Sequence, residues 1–209
     1  MDPRRGTEVV VDHGPLLPTP AGEVTMQPSV QPFLFEPTTA SPPFDLSWEL
    51  FGELCRVLAL RVYEEFDPDL VVGIATAGVI PAAVIADMLQ VDFFSMKISR
   101  RSGRQVVRDY PEVLSGAPSQ AAGRRVLIVD ELTTSGDTLR LATAAVRDKV
   151  PLEVRTATSF VRPGGFRPDF YALETDALIM FPWDRQIVEN GEIVVHPRYR
   201  QSLDDEIPR

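Results

Sequence analysis

At 209 residues, 44% of them hydrophobic, the chain is long enough to bury one sizeable core. Its formal net charge of −9 argues against a general nucleic-acid or anionic-membrane binder; the lone Cys55 permits no internal disulfide, and two histidines supply no zinc constellation. No stretch reaches about 18 consecutive apolar residues, and the start MDPRRGTEVVVDHG lacks the apolar run of a signal peptide, so a cytoplasmic protein without membrane contact is expected.

About half of the 19 prolines precede Asp45, at a spacing that forbids a long helix or a central strand. Residues 1–43 are therefore predicted to be a largely disordered tail, with Phe33, Leu34 and Phe35 as the residues able to dock, and residues 44–209 the globular domain. Ser47 to Phe66 reads as an amphipathic helix with Leu50, Phe51, Leu54, Val57, Leu58 and Val62 inward, stopped by Asp67-Pro68; Cys55 lies on its apolar face. A strand at Leu70–Ala75, a helix at Val79–Leu89 with Pro81 in its first turn and a strand at Val91–Ile98 follow. After a long polar segment come a strand at Val126–Asp130, a helix ending near Lys149 and a strand at Val154–Val161. Strands alternating with helices predict an α/β fold with a mostly parallel sheet, whose ligands gather at the carboxyl ends of the strands.

Two loops lie at such ends. In RVLIVDELTTSGDTL the apolar run Val126–Val129 passes into Asp130 and Glu131, then into Thr133, Thr134, Ser135, Gly136, Asp137 and Thr138, and Leu139, Leu141, Ala142, Ala145 and Val146 recur at helical spacing. Backbone N–H groups, hydroxyls and a helix N-terminus suit a phosphate monoester. The acceptor-only carboxylates one step earlier suit sugar hydroxyls or, through water, a hard cation such as Mg²⁺. A phosphate, a vicinal diol and a metal together describe a ribose phosphate. The other loop, Thr76-Ala77-Gly78, offers small residues and a following helix N-terminus to an anion.

The DELTTSGDT loop resembles the 5-phosphoribosyl-1-diphosphate (PRPP) loop of the type I phosphoribosyltransferases, and VVGIATAGVIPAAVIADML resembles their pyrophosphate-binding loop. TSFVRPGGFRPDFYALETDALIMFPWDRQ resembles the C-terminal hood of xanthine-guanine phosphoribosyltransferases and of archaeal purine phosphoribosyltransferase-like proteins. The resemblance covers roughly residues 45 to 200 and implies the type I fold with a small C-terminal hood. It implies that PRPP lies on Asp130, Glu131 and Thr133 to Thr138, and that Mg²⁺ is held by Asp130, Glu131 and Asp184. Pyrophosphate is then expected at Thr76, Ala77, Gly78, Arg100, Arg101 and Arg104, and the base at Arg162, Leu178, Ile179 and Asp184, with Trp183 packing the hood. Asp130, Glu131 and Arg162 are the residues implied in catalysis, Arg162 as a cation against the base's exocyclic oxygen. By its position, the segment Ser99–Arg124, which also carries Arg108, corresponds to the lid that excludes water during transfer. The implied activity is transfer of the phosphoribosyl group from PRPP to a purine or pyrimidine base, a 6-oxopurine favoured, in a homodimer without nucleic-acid partners.

Three positions depart from the family pattern. Thr76-Ala77-Gly78 lacks the Arg of several purine-using members, Leu178 stands where close relatives place a stacking Trp, and Thr134 stands where 6-oxopurine enzymes carry the Asp that handles the proton at purine N7. These departures keep open an orotate-type enzyme and a PRPP-sensing regulator without turnover.

Overall fold

The structure, a computed structural model, describes residues 43–102 and 105–204. The predicted tail up to residue 42 and Arg104 therefore lie outside the described residues, and Arg101 is described in its backbone alone. In chain order the elements are β1 (Phe44–Asp45), α1 (Trp48–Glu65), β2 (Leu70–Ala75), α2 (Val79–Leu89), β3 (Asp92–Ser99), β4 (Arg101–Ser102), β5 (Gln105–Val106) and β6 (Glu112–Ser115). They continue with β7 (Arg125–Thr133), α3 (Asp137–Arg147), β8 (Glu153–Val161), β9 (Phe170–Glu174), β10 (Ile179–Met180), β11 (Gln186–Glu189), β12 (Glu192–Val195) and α4 (Pro197–Asp204).

Six strands form the central sheet in the order β6-β3-β2-β7-β8-β9. All neighbours in it are parallel except β3 and β6. Its middle strands are buried on both faces, which is why they read as unbroken apolar runs. Val71, Leu127 and Val129 face α1 and α2, where Phe51, Cys55, Leu58, Val62 and Ile85 complete one core. Val72, Val126 and Ile128 face α3, where Leu139, Ala142 and Val146 complete the other. Each such large aliphatic side chain contributes about 1.5–3 kcal/mol by leaving water. Burial also pushes the Cys55 thiol up to about 12, so it is an inert core group, not a nucleophile.

Helix α1 starts where the Ser47 hydroxyl accepts a hydrogen bond from the Leu50 N–H, and it stops at Phe66 before Asp67-Pro68. Strand β7 runs three residues beyond its predicted end, because β8 alongside continues to pair with it through Leu132↔Phe160 and Thr133↔Val161. The predicted lid is partly sheet: β4 and β5 make a short hairpin, and β6 adds antiparallel to β3 at the sheet edge.

The chain enters β3 on one side of β2 and later enters β7 on the other. The ends of β2 and β7 therefore flank the reversal of strand order, where a crevice opens in an α/β sheet. Both predicted anion loops leave the sheet there. Strand β3 ends alongside, with Lys97 opposite Ala75, so the Arg100 loop departs from the same edge.

Candidate active site

Asp130 is buried and points across the crevice at the β2–α2 loop. A Cβ added at Gly78 would lie 2.6 Å from Asp130 Oδ1 and 2.8 Å from its Cα, so glycine is what lets this loop close on the acid. Asp130 Oδ1 accepts a hydrogen bond from the Glu131 N–H at 3.0 Å. Burial, and then the charge of Glu131, hold the Asp130 carboxyl well above the usual carboxylate range. No group of three or more His, Cys, Asp or Glu residues forms a metal cluster among the described residues. Two adjacent carboxylates, one buried, nevertheless fit the way Mg²⁺ binds, with water and substrate oxygens completing the shell.

The raised Asp130 value has a stability consequence of definite sign. Between the ordinary carboxylate value of about 4 and the raised folded value, the folded protein holds a proton that the unfolded chain has released, so stability falls as pH rises through that window. Asp130→Asn should melt higher than wild type without ligand or metal, and the gap should widen as pH rises above the ordinary carboxylate value. Melting curves in chelator test this; a constant gap or a lower melting temperature would show that Asp130 is not buried as a costly charge.

Beyond the acids the backbone turns into α3 through Gly136, whose φ of 82° suits glycine. The Ser135 hydroxyl donates to Asp137 Oδ2 at 2.8 Å, and Arg140 Nη1 donates to Asp137 Oδ1 at 2.9 Å. The turn is thus preorganised, but a carboxylate already stands at the helix end where an anion is expected.

The segment after β8 lies over this turn. Arg162 N–H donates to Thr133 O at 3.3 Å and Phe166 N–H to Thr134 O at 2.8 Å. The Phe166 ring covers Gly136, and the Arg140 guanidinium stands 4.9 Å from the ring centroid. Arg162 is buried, and its Nη1 donates to the carbonyl oxygens of Thr175 and Ala177. Desolvation lowers its pKa, and Asp176 acts in the opposite direction. Arg162 therefore holds the loop between β9 and β10 that leads to Leu178. Ile179 sends its side chain into the core, while Leu178 stays half-buried. Trp183 stacks on Phe181 at 4.7 Å and packs edge-on against Phe51, as a hood-packing residue should.

The structure brings Asp130 against Gly78 of the β2–α2 loop and the Arg162 backbone against Thr133 at the start of the phosphate turn, while the Arg162 guanidinium goes to the carbonyls of Thr175 and Ala177. It does not gather Asp184 with the acid pair into one group of three acids. Asp184 Oδ1 accepts from the Tyr199 hydroxyl at 2.7 Å and Oδ2 from Arg198 at 3.0 Å. Sequence reasoning missed Phe166 and Tyr199. The first sits in a Gly/Pro-rich run with no periodicity, and the second in a polar segment with nothing to mark it as buried.

The phosphoribosyl transferase domain family matches residues 46–191. The chain belongs to that family. Among its relatives, this phosphoribosyltransferase is 32% identical to the xanthine-guanine phosphoribosyltransferase of Nitratidesulfovibrio vulgaris over 160 residues, 74% of this chain and 93% of that protein. The xanthine-guanine phosphoribosyltransferase of Idiomarina loihiensis is 26% identical over 147 residues, 69% of this chain and 88% of that one. The crystal structure of purine phosphoribosyltransferase from Pyrococcus horikoshii superposes with a TM-score of 0.61 at 25% identity, covering 71% of this chain and 98% of that one. The phosphoribosyltransferase is thus an enzyme of the type I fold, close to the xanthine-guanine group. Among its described residues, no helix is long and apolar enough to cross a membrane.

Proposed function

We propose that the enzyme transfers the 5-phosphoribosyl group from PRPP to a 6-oxopurine, releasing pyrophosphate, in the cytoplasm. The observation that carries this reading is the contact of Asp130 with Gly78 on one side of a turn that the Arg162–Phe166 segment covers on the other. A ribose phosphate seated there has its 5′-phosphate on Thr133 to Thr138, its hydroxyls at Asp130 and Glu131, and its diphosphate toward Thr76 to Gly78 and Arg100. When bound, Mg²⁺ on Asp130 and Glu131 supplies neutralising charge for the diphosphate; Asp184, held by Tyr199 and Arg198, is left to the hood.

A base nitrogen forms a bond to C1′ as the bond from C1′ to the diphosphate oxygen breaks, and the electron pair leaves with pyrophosphate. Positive charge develops on the ribose ring, where the Asp130 and Glu131 carboxylates stabilise it. Positioning supplies much of the remaining acceleration. The base loses its proton to solvent, because the Thr134 hydroxyl cannot accept one near neutral pH. The Arg162 cation, bonded to the carbonyls of Thr175 and Ala177, sets the position of the segment leading to Leu178, against which the base lies. Exposed Val57, Leu60 and Tyr63 on α1 suit a homodimer contact.

The second reading, a PRPP-binding regulator, is favoured by the Asp137 carboxylate at the anion-binding turn. Pyrophosphate release measured across hypoxanthine, guanine, xanthine, adenine, orotate and uracil separates the two. The expected order places the three oxopurines first. Release with orotate alone would move the assignment to an orotate-type enzyme, and release with none of them to the regulator.

A further inference from the structure

Helix α4 follows the hood and lies outside the elements that hold PRPP. Its Tyr199 is fully buried, with its hydroxyl 2.7 Å from Asp184 Oδ1 and 3.3 Å from the Ile179 carbonyl oxygen. A phenol has one proton, and the shorter bond, assisted by the carboxylate charge, takes it. Arg198 reaches the other Asp184 oxygen while its guanidinium stands 4.7 Å from the centroid of the Tyr199 ring. The N–H groups of Phe44 and Leu46 donate to the carbonyls of Leu178 and Met180, and Arg185 pairs with Asp45 at 2.7 Å. The segment from Leu178 to Arg185 is therefore held both by β1, which precedes the sheet in the chain, and by α4, which follows it.

We propose that Tyr199 is a positioning residue for the base: acting through Asp184, it fixes the base-facing segment without touching PRPP. This rests on the reading of Leu178 to Asp184 as the base side of the site. The loop assigned to the phosphate and ribose is tied to the segment after β8 by the Arg162 and Phe166 N–H groups, and the Tyr199 hydroxyl does not reach it. Loosening α4 should thus be felt by the base and not by the sugar phosphate.

The test uses two probes on the full chain, GMP, which carries the base, and ribose 5-phosphate, which lacks it, each titrated by calorimetry. Tyr199→Phe removes one hydroxyl and keeps the ring. It should weaken GMP about tenfold, the size expected for a lost hydrogen bond to a charged group, and change ribose 5-phosphate affinity less than about twofold. In steady-state assays the same variant should raise KM for the base while KM for PRPP and kcat stay near wild type. Arg198→Ala, at a more exposed position, should show a smaller loss with the same selectivity, and it serves if Tyr199→Phe does not fold. Equal weakening of both probes, or no change in GMP affinity, overturns the inference and leaves the proposed reaction standing. A wild-type protein that holds GMP no more tightly than ribose 5-phosphate overturns both the base-side reading and the role of Tyr199.

Discussion

Replacing Asp130 and Glu131 together by alanine should weaken PRPP binding by about 2–5 kcal/mol, the sum of two charge-assisted contacts to the ribose hydroxyls or the metal. The structure gives this loss an unusual companion. The Asp130 carboxylate is buried, raised in pKa by desolvation and by Glu131, and pressed against Gly78. Its removal relieves a buried group whose ionisation is costly to the ligand-free fold. The double variant should therefore bind poorly while melting no lower than wild type near neutral pH, apart from whatever the small cavity left by truncation takes back. Calorimetry with Mg²⁺ and PRPP, paired with a melting curve, reads both quantities. A folded variant with unchanged PRPP affinity would remove the acid pair from the site.

The second large effect is a gain. Thr134 lies where the turn meets the segment after β8, its carbonyl oxygen accepting from the Phe166 N–H at 2.8 Å. The proposed reaction puts the base joined to C1′ at that seam between the phosphate turn and the hood. Thr134→Asp introduces a carboxylate able to take the proton at purine N7. Positioned general bases typically contribute about 10²–10⁴-fold. Repulsion from Asp130, Glu131, Asp137 and the ligand phosphate reduces that gain by raising the new group's pKa. Turnover on hypoxanthine or guanine should rise roughly tenfold or more, with a small loss of PRPP affinity and no improvement on orotate. A variant that binds PRPP normally and gains nothing on any oxopurine would show that Thr134 faces away from the base.

Parallel strands buried on both faces announce themselves as apolar runs, so β2 and β7 were legible in the sequence, whereas β8, with Arg155, Thr156, Thr158 and Ser159, reads as a strand through its β-branched residues. The acid pair was legible because Asp130 and Glu131 interrupt such a run at its carboxyl end, where a purely structural role does not call for them. Strand β7 overran its expected end for a reason local reading cannot see: the pairing of Leu132 and Thr133 is supplied by β8. The hood was harder. Arg162 stands out as a charge beside a Pro, yet its partners are the backbone carbonyls of Thr175 and Ala177, which carry no sequence signature. The pairing of Phe44 and Asp45 with Ile179 and Met180 joins distant parts of the chain through two residues on each side, too short for periodicity to register. Tyr199 sits in Arg-Tyr-Arg-Gln-Ser, a run that reads as a solvated face until tertiary packing buries its ring.

The most direct measurement incubates the full chain with PRPP, Mg²⁺ and guanine or hypoxanthine and follows the nucleotide and pyrophosphate together. The account expects GMP or IMP to accumulate in equal amount with pyrophosphate, dependent on the base and abolished by chelator. Pyrophosphate released at the same rate without base, or PRPP bound and returned intact with every oxopurine, would contradict it.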